Sequence, residues 1–519
     1  MASSPAVVRL FLVLVVACIV HGPCVTNGLR VLAIEYIAGK SHWNFMSSVL
    51  RVLTDSGHHV TAFTPFLDGE RANYTEVDIS GDIPIKLALN ATEAITQFAG
   101  TSSMIATIGT ISRQACKAVH GKPQMVEILE RGGTAGFDVV IAEIAGSECV
   151  SYVAAMLGVP LIYVIPSPMI TYVERTVTGH VSNPATVSHM LAHHAVPGTF
   201  FQRFSNLLQT VYVGFIVHRD EMLAAIFDPQ PHDLVKPLKC SLVFINSYYL
   251  TDLSRPMSSN VIQVGGLHLK SPKSIPQNIL DFIEDSPNGV IYFTFGSVIL
   301  MSTLPDHIQN AFIEVLAQVP QRVLWKYEGE MKNLPKNVMI SKWFPQRDIL
   351  LHPKIKLFIS HGGISGMHEA ADAGVPVLGF PLFYDQHRNV ENLVYAGMAI
   401  SMDLFSVQKD TLLKNILELV NNEKYMNNAK IASERFKDRP MSSKQTVIYW
   451  TEYVVRHKGA PHLKSHAFNL TWYQYFLLDV IVTMLILIAV TLFVVYKFCT
   501  FIGHLLVSKN VQKFKSKSE

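Results

Sequence analysis

From Leu29 onward, short hydrophobic runs alternate with longer amphipathic stretches, a pattern that predicts a parallel α/β protein. The first series of β-branched or aromatic runs comprises Val31 to Glu35, His59 to Phe63, Asp138 to Glu143, Pro160 to Ile165 and Cys240 to Ser247. A second series comprises Gly289 to Phe295, Arg322 to Lys326, Val338 to Lys342, Lys356 to Ser360 and Val375 to Phe380. Each series is enough for one doubly wound domain. The stretch between them, Asp252 to Pro276, is rich in Ser, Pro and Gly and reads as the connection. The expected lobes are therefore residues 29–255 and 256–440, and a chain of 519 residues is long enough for both. Pro166 to Pro237 is less regular, and either helices over a hydrophobic pocket or ordinary amphipathic packing fits its mix of aromatics, His and Met.

The two ends carry a different pattern. Arg9 is followed by an apolar run from Leu10 to Val20 and then smaller residues, which reads as a secretory signal peptide over residues 1–28. Phe476 to Tyr496 is apolar apart from Asp479 and two threonines, long enough to cross a bilayer as one helix, assigned to residues 475–496. Residues 441–474 lead up to it, and a lysine-bearing tail, 497–519, follows on the cytosolic side. The layout predicts a single-pass type I protein with its body in the lumen. Lys515 to Glu519, KSKSE, matches a lysine pattern that returns membrane proteins to the endoplasmic reticulum. Glycosylation sequons at Asn73, Asn90 and Asn469 all fall between the two hydrophobic segments, as a lumenal body requires.

Composition narrows the partners. A formal charge of +3 with 16% charged residues leaves no basic footprint for nucleic acid. The lipid bilayer is the macroscopic partner the sequence implies, and self-association is left open. Of six cysteines, Cys18 and Cys24 lie in the signal region and Cys499 beside the membrane segment. The remaining three, Cys116, Cys149 and Cys240, show neither a disulfide framework nor zinc spacing.

The densest chemistry lies between Trp343 and Arg388. The run Leu357 to Ser360 leads directly into His361, Gly362, Gly363, Ile364, Ser365 and Gly366, and then into a helix that Gly374 can end. Glycines at such a turn let a diphosphate approach backbone N–H groups, and the new helix adds unpaired donors and the positive end of its dipole. His361 can donate to a phosphate oxygen, and Glu369, one turn on, can accept from ribose hydroxyls. Trp343 can stack on a flat base and Gln346 can hydrogen-bond the ribose. Asp385 and Gln386, after the next run, can divide the hydroxyls of a hexose between them. Together they describe a site for a nucleotide sugar.

This order of elements resembles the UDP-glycosyltransferase family, whose signature runs from Trp-x-x-Gln through a His-Gly-Gly turn and Glu to an Asp-Gln pair. The resemblance extends to FTFGS (Phe293 to Ser297), VLWKYEG (Val323 to Gly329), SHW (Ser41 to Trp43), VGGLH (Val264 to His268) and the segment Tyr449 to Leu463. The layout is most similar to insect UDP-glucosyltransferases. The resemblance implies the GT-B fold: two Rossmann-like domains facing a cleft, with the donor on the second half and the acceptor on the first. It further implies that the helices after residue 440 cross back onto the first domain, and that Gly296 and Ser297 belong to the donor site.

Glycosyl transfer needs a base facing the donor, and the resemblance assigns that role to His42, at the start of a helix with apolar residues at helical spacing. A carboxylate would orient its ring. Many relatives carry Asp where this chain has Glu143, whereas insect members often place an Asp where Glu148 falls, so either can serve. The expected reaction is a single inverting displacement from a UDP-sugar, most readily UDP-glucose, onto a small lipophilic acceptor. It uses no cofactor and no metal, since no Asp-x-Asp element is present. His361, Ser365 and the Gly362 to Gly366 amides are then left to neutralise the departing diphosphate. The Glu replacing Asp also motivates an alternative, a catalytically silent protein that binds lipophiles or nucleotide sugars on the same fold.

Overall fold

The structure is a computed structural model that describes residues 28–83, 89–90, 93, 100–144, 148–297, 299–331 and 333–515. The expected signal peptide lies outside the described residues except for Gly28, as does the KSKSE tail beyond Lys515. The chain divides after Lys464 into two units.

The first unit holds two parallel sheets. Its strands, in chain order, are β1 (Arg30–Ile34), β2 (His59–Thr64), β3 (Tyr74–Asp78), β4 (Leu89–Asn90), β5 (Val139–Glu143), β6 (Leu161–Ile165), β7 (Leu242–Ile245), β8 (Val261–Gln263), β9 (Val290–Thr294), β10 (Ile299–Leu300), β11 (Arg322–Lys326), β12 (Val338–Ser341), β13 (Ile355–Ser360), β14 (Val377–Gly379) and β15 (Ala399–Ser401). One sheet runs β3-β2-β1-β5-β6-β7-β8, the other β12-β11-β9-β13-β14-β15, and β4 pairs with β10 apart from both. β5, β6, β7 and β9 are buried at every position, which is why they read as unbroken hydrophobic runs rather than alternating ones.

Each sheet is covered on both faces by apolar clusters. Leu32, Ile34, Val140 and Tyr163 pack on one face of the first sheet, and Val31, Ala33, Ile141 and Phe244 on the other. On that second face lies α1 (Lys40–Asp55), whose Trp43, Phe45, Met46, Val49, Leu50 and Leu53 are all fully buried. Each such side chain contributes roughly 1.5–3 kcal/mol of transfer free energy, so the helix has a fixed seat on the sheet.

The lobes are tied together by more than a linker. β8 lies beyond residue 255 yet completes the first sheet. Asp252 is buried and paired with Arg388 at 2.5 Å, and Thr251 bonds His368 at 3.0 Å through its hydroxyl. The packed contacts lie at the start of this stretch, whereas most of its Ser and Pro residues are exposed. The late helix Ser443–Arg456 returns to the first lobe, where Val447 and Val454 join the cluster around Trp43.

The cysteine reading needs correction: Cys116 and Cys149 form a disulfide across 33 positions. It joins the helix α2 (Thr101–His120) to the loop after β5, a pairing that no local spacing advertises. Disulfides persist in oxidising compartments, in keeping with a lumenal body.

In the second unit, a helix spans Leu478–Lys515, and an 18-residue window within its stretch Leu478–Asn510 reaches a mean hydropathy of 2.8. At 1.5 Å per residue its 38 residues extend roughly 57 Å, well past the hydrocarbon thickness and past the expected end at residue 496. The tail therefore begins as helix.

Candidate functional site

In a doubly wound sheet, ligands bind beyond the carboxyl ends of the strands where the order reverses. In the first sheet that point lies between β1 and β5, and in the second between β9 and β13. His42 and Glu143 lie at the first point, and the loops carrying Gly296 and His361 at the second.

At the first, the loop after β1 enters α1, and His42 is the third residue of that helix. Trp43 turns into the core while His42, 32% exposed, faces the opening, as a step of about 100° around the helix dictates. Its Nδ1 lies 2.6 Å from Oε1 of Glu143, the last residue of β5. Burial lowers the His42 pKa below the ordinary histidine value, opposed by the charges of Glu35 and Asp385. Burial raises the Glu143 pKa, while its interaction with the neighbouring Glu35 carboxyl pulls the other way. Of the two carboxylates left open by the sequence, only Glu143 is brought to His42. Glu148 precedes disulfide-bonded Cys149, which tethers it toward α2; burial raises its pKa, and Lys239 is the charge that opposes this.

At the second, Ser360 ends β13 opposite Thr294 of β9, so the loops carrying His361 and Gly296 adjoin. The His361 ring lies between two glycines. A Cβ on Gly296 would stand 2.7 Å from its Cε1, and one on Gly363 2.6 Å from its Nε2. Gly362 adopts φ +86°, and a Cβ there would strike Val390 and the backbone carbonyl of Gln386. These glycines thus permit an approach that any side chain would block. Burial holds His361 down to about 4, with Lys326 adding to the effect, so the ring is neutral near pH 7; its Nδ1 is buried and unpartnered among the described residues.

From Gly363 as N-cap, the helix α3 (Ile364–Ala373) begins with free backbone donors. Ser365 and Gly366 occupy its first turn, and Ser297, three residues past β9, is exposed. Glu369, one turn on, accepts from Gln346 Nε2 at 2.5 Å. Burial pushes Glu369 up to about 7, with the Gln346 bond opposing. Trp343 is 67% exposed, its face free for a flat ring.

Asp385 caps the helix α4 (Gln386–Tyr395), and its carboxylate accepts from Asn389 at 2.8 Å. The same Asn389 amide donates to Gly362 O at 3.0 Å, locking the glycine turn to the Asp385 loop. Asp385 also lies close enough to His42 for each charge to perturb the other's proton affinity, which brings the two switch points face to face. Gln386 is buried, and its Oε1 accepts the backbone N–H groups of Leu382 and Phe383, so its oxygen holds the loop and only its amide nitrogen remains for a ligand.

Sequence reasoning missed Glu35, Asn389 and Tyr384. Tyr384, at φ +59°, sits in a region costly for a bulky residue and reaches across to bond the Tyr172 hydroxyl at 2.9 Å. Tyr172 lines a cavity of about 590 Å³ between α2 and the long helix Phe200–Phe227, together with Ile105, Ile108, Val217 and Leu223. The polar members Arg113 and Glu221 make that cavity only partly apolar. The sequon residues Asn73, Asn90 and Asn469 are all exposed. Among the described residues no cluster of His, Cys, Asp and Glu is arranged to hold a metal ion.

A family profile described as "UDP-glucoronosyl and UDP-glucosyl transferase" matches residues 30–513. UDP-glucosyltransferase 2 of Dactylopius coccus is 36% identical over 501 residues, covering 94% of this chain and 96% of that protein. UDP-glucuronosyltransferase 2B15 of Homo sapiens is 30% identical over 505 residues, covering 91% and 93%. Among solved structures, a variant of Os79 from O. sativa in complex with UDP superposes with a TM-score of 0.57 at 17% identity, covering 82% of this chain and 99% of that one. At that identity the likeness speaks for the fold.

Proposed function

The chain belongs to the UDP-glycosyltransferase family, and from that premise we propose that it transfers a hexose, first of all glucose, from a UDP-sugar to a hydroxyl of a small lipophilic acceptor. UDP-sugar-dependent glycosyl transfer on a GT-B fold is the family's activity. The observation that carries the finer reading is the His42–Glu143 contact at one switch point, facing Asp385 at the other.

In this mechanism Glu143 takes the Nδ1–H of His42, which leaves Nε2 to accept the acceptor's proton as its oxygen attacks the anomeric carbon. One displacement inverts that carbon and releases UDP. The charge on the departing diphosphate is met by His361, Ser365, Ser297 and the free amides at the start of α3. Trp343 stacks on the base, Gln346 and Glu369 hold the ribose, and Asp385 with the Gln386 amide holds the hexose. Glucose is favoured by the name of the 36% identical relative, glucuronate by that of the human one. The cavity behind Tyr172 supports a lipophilic acceptor. The long apolar helix, the disulfide and the exposed sequons support a lumenal body on a single-pass anchor, which we place in the endoplasmic reticulum.

The test is to incubate the membrane-bound chain with UDP-glucose, UDP-glucuronate and a panel of phenols, reading UDP release and the anomeric configuration of the product. A β-glucoside from the α-linked donor is the expected product. Binding of UDP-glucose without turnover on any acceptor would instead favour the silent binding protein.

A further inference from the structure

Glu35 follows β1 and is only 1% exposed. β1 and β5 pair in parallel with Ile34 opposite Ala142, so Glu35 and Glu143 leave the carboxyl ends of adjoining strands side by side. Strands in a sheet are about 4.8 Å apart, so these two buried side chains leave the same sheet edge within reach of each other. Glu35 Oε1 accepts the backbone N–H of Ile37 at 3.0 Å. Its Oε2 is buried with no hydrogen-bond partner among the described residues, and the Glu143 carboxyl on the adjoining strand is the neighbour placed to supply one. Two carboxyl oxygens bond each other only if one carries a proton.

The surroundings decide which one. Besides Glu143 on β5, the charged and titratable groups facing this pair are His42 on α1 and, from the second lobe, Asp385 and Tyr384. None is a fixed cation. Burial raises Glu35 well above the ordinary carboxyl range, and the Glu143 charge raises it further. Glu143 has a competing donor in His42 to stabilise its charge, whereas Glu35 has a single backbone amide.

We propose that Glu35 is a positioning residue that stays protonated and donates its O–H to Glu143, thereby fixing His42 in the tautomer with its proton on Nδ1. The 2.6 Å contact between Nδ1 and Glu143 holds one proton. With that proton on Nδ1, Nε2 has a free lone pair toward the cleft. With it on Glu143, Nδ1 is the acceptor and Nε2 carries the hydrogen, so His42 cannot take a proton from an incoming hydroxyl. A donor behind Glu143 stabilises its carboxylate and selects the first arrangement.

The inference rests on the reading of His42 as the base, and the experiment separates the two. The full-length chain is assayed with UDP-glucose and an accepted phenol, across pH, as wild type, Glu35→Gln, Glu35→Met and His42→Ala. Glu35→Met removes the donor, and kcat at pH 7 is expected to fall about 10-fold or more, with the KM for UDP-glucose unchanged. Its acid limb moves to higher pH, because Glu143 then holds its proton more tightly, and turnover recovers on the alkaline side. Glu35→Gln supplies a neutral amide that can donate to Glu143 and accept from Ile37, so its kcat stays within about threefold of wild type and its acid limb does not move. Equal loss in the two variants with unmoved limbs marks a packing role and overturns the proposal. A shifted limb in Glu35→Gln alone overturns it too, even should Glu35→Met fail to bind UDP, because a neutral residue would then not reproduce Glu35. Full turnover by His42→Ala defeats the underlying reading instead.

Discussion

Glu143 Oε1 lies 2.6 Å from His42 Nδ1, although 101 positions separate the two residues. The contact follows from sheet order: β5 lies beside β1, so the residue ending β5 meets the helix that begins after β1. Glu143→Gln preserves size and burial but offers an amide that cannot accept the Nδ1 proton with the same strength. Its kcat should fall by about 10²–10⁴-fold with little change in the KM for UDP-glucose. Steady-state UDP release at saturating donor measures this, and an unchanged kcat would place the ring's orienting group elsewhere.

Gly296→Ala tests the donor cradle. Its new Cβ meets the His361 ring at 2.7 Å, and alanine is strained at φ +77°. The diphosphate contact should suffer while the acceptor lobe does not. A rise in the KM for UDP-glucose of about 10-fold or more, with acceptor KM unchanged, is the expected result in initial-rate kinetics.

The architecture was legible in the chain where burial is symmetrical. β5, β6, β7 and β9 are covered on both faces, so their hydrophobic runs stood out. β8 and β15 have three residues each, too few to show a period, and lie at sheet edges. The glycine turn after β13 announced itself because close approach to a ring and to backbone demands glycine at particular positions. The neighbourhood of Glu35 and Glu143 could not be read that way, since it depends on which strands pair and in what register. The same holds for Asn389, whose amide joins Gly362 to Asp385. Cys116 and Cys149 find each other through the packing of α2 against the loop after β5, which no spacing rule encodes.

Donor affinity should depend on pH through Glu369. Burial pushes this carboxyl up to about 7, and the ionised form is the one that accepts two ribose hydroxyls. Raising the pH through 7 therefore strengthens binding, and lowering it weakens binding by up to about tenfold per pH unit. UDP-glucose suits the measurement because its phosphates are diesters without an ionisation in this range. Calorimetric titration from about pH 5.5 to about 8.5 should show the slope in wild type and a flat line in Glu369→Gln.

The disulfide should stabilise the first lobe. Closing a loop of 33 positions removes chain entropy from the unfolded state worth about 3–4 kcal/mol. Cys116→Ser, or wild type with reductant, should melt several degrees lower in a thermal unfolding experiment. Identical melting curves would show that the bridge adds nothing.

The most direct measurement of the central claim, that the first lobe's imidazole deprotonates an acceptor for attack on a donor held by the second, compares His42→Ala with wild type in turnover and in UDP binding. Turnover should fall by about 10²–10⁴-fold while UDP binds as tightly as before, since the cradle around His361 and α3 is untouched. Undiminished turnover in His42→Ala would contradict the account.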